Sequence, residues 1–391
     1  MNGQVASRMN IAFAHEWLVG YAGSERVLAA MASEFPQAPI FTLVHDPAKL
    51  ADTPLAGRDI TTSFIQRLPG ATRKHQRYLP LMPLAIEQLD LRGHEVVVSS
   101  SHAVAKGVLT RADQLHISYM HTPIRYAWDL YHDYLEHSGL TRGVRGALAR
   151  LFLHYIRTWD AASANRVDVY WANSHYVARR IWKTYRREAA VLYPPVAVDR
   201  FRADGQRDDF YLTASRLVPY KRVDLIVEAF TQSGRPLVVI GDGSERGRLI
   251  QSAGANVTFI GEQPHASLVD HMQRCRAFVY AADEDFGITP VEAQAAGAPV
   301  IAWGHGGVCE TVVHGETGVL YPHQTSASLN EAVSAFEEGR FVLEAEVIRQ
   351  QAQRFDAETF RRRYRALLDA SLATFRQAGP AEATRATAAA E

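Results

Sequence analysis

The chain has 391 residues, more than one ordinary domain needs, so two domains of somewhat under 200 residues each are expected. Its 42 Lys+Arg balance 42 Asp+Glu, which excludes a chain-wide basic surface for nucleic acid, and 47% hydrophobic with 21% charged residues excludes intrinsic disorder. Two cysteines, Cys275 and Cys309, are too few for a disulfide scaffold or a structural zinc site, and no apolar run approaches the ~20 residues of a spanning helix.

In chain order, β-rich runs fall at 10–14, 40–44, 95–99, 116–120 and 167–172. The first, Ile11-Ala12-Phe13-Ala14, is stopped by His15 and Glu16, so no signal peptide is expected. Helical periodicity occupies 24–34 and 146–161 between the later runs. Tyr193-Pro194-Pro195 is the clearest punctuation near mid-chain, and a polar stretch follows it through Asp209. Beyond it the rhythm tightens, with strands expected at 210–214, 237–240, 257–260, 277–280, 300–303 and 318–321. Helical stretches separate them; 223–230 sets Val223, Ile226, Val227 and Phe230 on one face. Strands alternating with helices imply α/β units with parallel sheets covered on both faces, and two such units joined by a linker imply a cleft with ligands at the strands' C-terminal ends. The last ~50 residues read as helical and Arg-rich, and 379–391 as a frayed tail. Residues 1–193 hold 22 Lys/Arg against 16 Asp/Glu, a net of +6, and the remainder carries the opposite −6. Either the split is chance, or the first half meets something anionic.

Residues 280–299, YAADEDFGITPVEAQAAGAP, carry the strongest chemical signal. A strand ending near Ala281 is followed by an acidic loop, Gly287 permits close backbone approach, and a helix opens around Ile288–Pro290. Pro290 suits a first helical turn because its missing N–H would have no partner there. The N–H groups of Gly287, Ile288 and Thr289 then form an anion site suited to a phosphate. Glu284 and Glu292 frame the turn, one in the loop and one inside the helix.

Glu284-Asp285-Phe286-Gly287-Ile288-Thr289-Pro290-Val291-Glu292 resembles the E-x7-E signature of retaining glycosyltransferases of the GT-B fold, family four. Three further segments are similar to the same family in order and spacing: Ala22-Gly23-Ser24-Glu25-Arg26-Val27, Ser215-Arg216-Leu217-Val218-Pro219-Tyr220-Lys221-Arg222, and Gly241-Asp242-Gly243. The likeness runs from about Asn10 to Arg365. It implies two Rossmann-like, doubly wound parallel-sheet domains facing a central cleft: an acceptor domain at 9–193 and a nucleotide-sugar domain at 194–365. A terminal helix end and flexible tail follow at 366–391, the helix crossing back to the first domain.

Arg216 and Lys221 offer fixed cations, and the Gly287–Thr289 amides donors, to the charge that grows on a departing nucleoside diphosphate. Outside such a motif, Arg216 and Lys221 would read as a solvated surface pair. The resemblance implies that Gly23 adds an amide from the first domain, that Glu292 accepts from ribose hydroxyls, and that Glu284 meets the donor sugar. His121, in Tyr119-Met120-His121-Thr122-Pro123-Ile124-Arg125-Tyr126-Ala127-Trp128-Asp129, follows a strand where the family carries an active-site histidine; the bland alternative is a satisfied structural histidine. The segments HEWLVGYAGSERVL, YLPLMPLAIEQLDL, SSSHAVAKGVLT and HTPIRYAWDL resemble a bacterial mannosyltransferase branch of O-antigen and exopolysaccharide assembly. That implies transfer of a hexose from GDP-mannose, a UDP-sugar and GDP-rhamnose being alternative donors. A non-catalytic nucleotide-sugar-binding subunit of an assembly complex is a different class of reading.

Asp283-Glu284-Asp285 has a D-x-D spelling that suits a divalent cation, but it overlaps the signature of a metal-independent family, so no metal and no other cofactor is expected. Arg67, Arg73, Lys74 and Arg77 precede Leu79, Leu81, Met82 and Leu84, and Arg142, Arg145, Arg150 and Arg157 mix with Leu148, Leu151, Phe152, Tyr155 and Trp159. Basic charge beside apolar groups fits either an anionic leaflet or an ordinary surface helix. The acceptor that the branch implies is a glycan or polyprenyl-diphosphate-linked chain. The expected location is cytoplasmic, with peripheral contact on the inner face of the cell membrane, and no nucleic-acid partner.

Overall fold

The structure, a computed structural model, describes residues 9–203 and 205–379. These form two compact units: one holds the described residues up to Tyr193 together with those from Arg361 onward, and the other is Pro194–Phe360.

The first unit is built on β1 (Ile11–Leu18), β2 (Ile40–His45), β3 (Ile60–Thr62), β4 (Val96–Ser101), β5 (Leu115–Met120), β6 (Val169–Ala172) and β7 (Ala190–Val191). Their order is β3-β2-β1-β4-β5-β6-β7, and every pairing is parallel. All residues of β4, β5 and β6 are buried, as expected of parallel strands covered on both faces. The second unit is built on β8 (Tyr211–Ala214), β9 (Leu237–Ile240), β10 (Val257–Gly261), β11 (Ala277–Tyr280), β12 (Val300–Trp303) and β13 (Gly318–Tyr321). Its order is β10-β9-β8-β11-β12-β13, again all parallel. In each sheet the winding reverses once, between β1 and β4 in the first and between β8 and β11 in the second. Loops at the C-terminal ends of those strand pairs diverge and leave room for a ligand.

Periodicity found the helices because their buried faces are apolar. Val223–Ser233 packs Val223, Ile226, Val227 and Phe230 into a core with Tyr211, Leu237, Val279 and Ile301, and ends at Gly234. The first unit's core gathers Ala12, Phe41, Val97, Ile86 and Val104.

Three expectations need correction. β1 does not stop before His15 and Glu16; it runs through both to Leu18, and both side chains are fully buried. The short strands β3 and β7 carry too few residues for an alternation to register. The second unit ends at Phe360 rather than at 365, and the helix Ala357–Ala378 is one continuous element across that boundary. Its later residues pack with the first unit, where Tyr364 meets Phe35 and Trp171 and the Arg365 guanidinium lies 4.5 Å from the Phe35 ring. The tail beyond Gly379 lies outside the described residues.

Candidate functional site

In the second unit the loop after β8 carries Arg216 and Lys221. It is fixed by the loop after β9, since Leu217 N–H donates to Asp242 at 2.9 Å and Glu245 N–H donates to Leu217 at 2.9 Å. The two loops approach so closely that a Cβ on Gly241 would stand 1.9 Å from the Ser215 carbonyl oxygen, which is why glycine follows β9. Arg222 closes the turn at φ 52°, a left-handed conformation that costs a non-glycine residue strain and marks functional turns. Its guanidinium donates to Gln324 Oε1 at 3.0 Å, and Gln324 Nε2 donates to the Ala281 carbonyl at 2.8 Å, so the Lys221 turn is braced against the end of β11.

The acidic loop after β11 brings Glu284 to Lys221 in an ion pair whose side chains are 22% and 14% exposed. Tyr280 hydrogen-bonds to Glu284; burial first, then that carboxylate, pushes its phenol far above the usual range. Arg216 donates to the Tyr220 hydroxyl at 2.8 Å, and Lys221 Nζ lies 5.4 Å from the Tyr220 ring. The loop after β12 wraps the acidic loop: Gly307 N–H donates to the Glu284 carbonyl at 2.8 Å, and His305 Nδ1 lies 3.4 Å from Asp283 Oδ1. Gly287, at φ 88°, is the N-cap of the helix Ile288–Ala295. The first-turn amides have no intrahelical acceptor, and Glu292, 6% exposed, sits one turn inside. Cations, helix-end amides and carboxylates thus gather at the winding reversal, a set able to hold a phosphate and a polyhydroxyl group together.

In the first unit Gly23 opens the helix Gly23–Ser33 directly after β1, and Glu25 caps it by accepting from Ala22 N–H at 3.0 Å and Ser24 Oγ at 3.1 Å. His121 follows β5. Its N–H donates to the Ser101 carbonyl at 2.8 Å, Ser100 Oγ lies 2.9 Å from its Nε2, and Asn173 donates to its carbonyl at 2.9 Å. Burial, then the charges of His102 and His15, push its pKa down to about 3, so the ring is neutral. The 121–129 segment is anchored elsewhere: Arg180 donates to Asp129 at 2.5 Å and to Thr122 Oγ1 at 2.8 Å, and Trp128 Nε1 donates to Asp160 at 2.7 Å.

Around His121 stand residues that the sequence reading passed over. Glu16, fully buried, accepts through Oε1 from Ser101 Oγ and the N–H groups of His102, Ala103 and Ala105 at 2.9 to 3.1 Å. Burial opposes its charge, but His102, His15 and those amides hold it at about 2. His102 Nδ1 lies 3.3 Å from Glu16 Oε2 and its ring meets Trp17 edge-on at 4.9 Å. The available signal was the polar pair His15-Glu16 inside an apolar run, read there as a stop.

The structure therefore brings Arg216, Lys221, Glu284, Gly287, Ile288, Thr289 and Glu292 to one edge of the second unit, and in the first places Gly23 at a helix start and His121 on the loop after β5. Two all-parallel doubly wound units of this kind define the GT-B architecture. Solved structures share it: sucrose-phosphate synthase from Thermosynechococcus elongatus (TM-score 0.69, 18% identity, 93% of this chain and 100% of that one) and Anabaena HepE in complex with UDP and glucose (TM-score 0.66, 18% identity, 93% and 100%). Residues 199–355, within the second unit, match the family described as glycosyl transferases group 1. Among curated relatives, a GDP-mannose-dependent alpha-(1-6)-phosphatidylinositol monomannoside mannosyltransferase of Mycobacterium tuberculosis is 33% identical over 200 residues, 43% of this chain and 52% of the relative. D-rhamnosyltransferase WbpZ of Pseudomonas aeruginosa is 28% identical over 222 residues, 52% and 56%. The chain spans about half the length of the curated relatives it matches.

Proposed function

We propose that the protein is a retaining glycosyltransferase that moves mannose from GDP-mannose to a glycan or polyprenyl-diphosphate-linked oligosaccharide in cell-surface polysaccharide assembly. The observation that carries this reading is the Lys221–Glu284 pair beside the Gly287 helix end, at the point where the second sheet reverses. The GDP-mannose dependence in the name of the mycobacterial relative supports the donor; the rhamnosyltransferase relative and the UDP-bound neighbour supply the competing donors for any assay.

In this reading Arg216, Lys221 and the Gly287–Thr289 amides hold the diphosphate without a metal, Gly23 adds an amide, and Glu292 accepts from the ribose. The acceptor oxygen attacks the anomeric carbon on the face the nucleotide leaves. The C–O bond breaks with its electron pair going to the diphosphate, whose oxygen takes the acceptor proton. Glu284 faces the donor sugar, and neutral His121 hydrogen-bonds near it.

Peripheral membrane contact belongs to the same proposal. On the helix Gly143–Ser163, Val144, Leu148, Leu151 and Tyr155 are exposed, opposite buried Gly146, Leu153, Ile156 and Asp160, with Arg142, Arg145 and Arg150 exposed nearby. Phe152 and Trp159, counted earlier with that apolar set, instead pack inward. Such a stripe supports an interfacial role, with anionic but not neutral vesicles pulling the protein down at low salt.

A thermal-shift series with GDP, UDP and their sugars, with and without EDTA, tests the function. A ligand at ~100 times its Kd adds about 2.7 kcal/mol to the folded state, easily read as a rise in Tm. A GDP-selective rise that survives EDTA, followed by mannosyl transfer, is the expected result. A UDP-selective rise replaces the donor, binding without transfer to any lipid-linked acceptor favours the non-catalytic subunit, and no response to any nucleotide sinks the assignment.

A further inference from the structure

His15 is a fully buried ionisable group that the mechanism above leaves unused. We propose that His15 is a positioning residue of the transfer reaction, a buried imidazole that locks the Gly23 turn to His121. Its effect on turnover rests on the glycosyltransferase reading; its structural role does not.

The lock is a chain of contacts. Glu25 accepts from Ala22 N–H and Ser24 Oγ and so fixes the turn that presents Gly23. His15 Nε2 faces Glu25 Oε1 at 3.6 Å, an ion-pair separation, and His15 Nδ1 faces the Ser100 carbonyl oxygen at 3.0 Å. Ser100 Oγ then reaches His121 Nε2 at 2.9 Å. The loops after β1 and β5, two strands apart in the sheet, are thereby joined through β1 and β4.

Both nitrogens of His15 face acceptors. A neutral imidazole owns one N–H, so its bare nitrogen would set a lone pair against either a carbonyl or a carboxylate; only the imidazolium satisfies both. The ionisable groups facing it are Glu25 from the helix, Glu16 on its own strand at 3.9 Å, His102 after β4 at 6.2 Å between ring centres, and His121 after β5. Thr42, its register partner on β2, is uncharged. Burial opposes protonation of His15, but the hydrogen bond and charge of Glu25, with the charge of Glu16, overcome it and raise the pKa above 6.5. The positive charge in turn helps keep His121 neutral, after burial and His102.

The test uses the full chain with 15N-labelled histidine rings. One histidine should titrate above the usual histidine value, its signals should vanish in His15→Gln, and the His121 ring signals should move in that variant. Turnover should fall about 10- to 100-fold with the donor KM held within about 2-fold, as for a displaced rather than a missing donor site. Should His15→Gln fail to fold, Glu25→Gln retains an acceptor for the helix cap yet must return His15 to ordinary titration. A His15 that titrates at or below the usual histidine value, His121 signals unmoved by the substitution, or wild-type turnover in folded His15→Gln each overturns the proposal. If no nucleotide sugar supports transfer by the wild-type chain, the functional reading fails while the ring signals still decide the lock.

Discussion

Replacing Lys106 by Met should destabilise the first unit by about 3 kcal/mol, because it leaves a buried carboxylate short of its counter-charge. Lys106 and Asp160 are both fully buried, with Nζ 2.6 Å from Asp160 Oδ1, 2.8 Å from Ser163 Oγ and 3.1 Å from the Asp160 carbonyl. Nζ also lies 5.3 Å and 5.2 Å from the ring centres of Trp159 and Tyr185. Removing one partner of such a pair typically costs about 3–5 kcal/mol, since the other charge stays behind unpaired. The lower figure applies here because Asp160 keeps donors from Trp128 Nε1 at 2.7 Å and the Tyr185 hydroxyl at 2.8 Å, and Met refills the space of the lysine stem. Five of the six tryptophans (Trp17, Trp128, Trp159, Trp171 and Trp182) lie in the first unit, so urea unfolding followed by tryptophan fluorescence reports that unit. The midpoint should fall with an unchanged slope. Arg92→Ala, which removes a solvent-exposed pair with Asp90, is the control and should be silent. A loss below about 1 kcal/mol for Lys106→Met would refute the reasoning, because it would mean that Asp160 does not depend on Lys106 as its buried partner.

Gly287→Ala should cost about 1–2 kcal/mol of backbone strain at φ 88° and weaken donor binding by disturbing the helix-end amides, read by ligand-induced Tm shift. Its Cβ would meet only Pro290 at 3.4 Å, so the penalty is conformational and not steric. Glu284→Ala should abolish transfer yet leave donor bound, because it releases Lys221 for the diphosphate, whereas Lys221→Ala should raise the donor Kd about tenfold or more. Both Glu16 and Glu25 are held at about 2 against an ordinary 4.5 despite burial, so their contribution is complete above 4.5 and is lost as the pH falls toward 2. Acid titration of the fluorescence midpoint should show that loss, about 3 kcal/mol for each carboxylate, and Glu16→Gln should remove its share.

The second unit was the more legible half, and the reason is local. Strands 237–240, 277–280, 300–303 and 318–321 were found at their observed bounds because each is a buried apolar run closed by a turn. The Gly287 turn was legible because its anion chemistry is written in consecutive residues: a carboxylate loop, a glycine and a proline-started helix. What stayed hidden depends on contacts that no spacing encodes. The Arg222–Gln324–Ala281 brace spans 102 residues between its side-chain partners, and the Ser101–Glu16 bond spans 85. His15 and Glu16 were misjudged for a related reason: in a single sequence, polar residues end an apolar run, whereas in the fold they extend β1 into a polar interior.

That interior also changes the meaning of the first half's charge. Of the residues behind its net of +6, Lys106 is spent on Asp160 and Arg180 largely on Asp129 and Thr122, all of them holding loops around His121. These cations cannot attract an anionic partner, because their fields are neutralised within a few ångströms. The groups able to do so are the exposed ones, Arg73, Lys74 and Arg77 before Leu81 and Leu84, and Arg142, Arg145 and Arg150 beside the Val144–Tyr155 stripe. Reversing the charge of Arg142, Arg145 and Arg150 together should therefore abolish binding to anionic vesicles while leaving Tm and soluble-acceptor turnover unchanged, as measured by co-sedimentation beside a transfer assay. Retained vesicle binding in that variant would place the anionic contact elsewhere and leave the apolar stripe without the electrostatic half of its role.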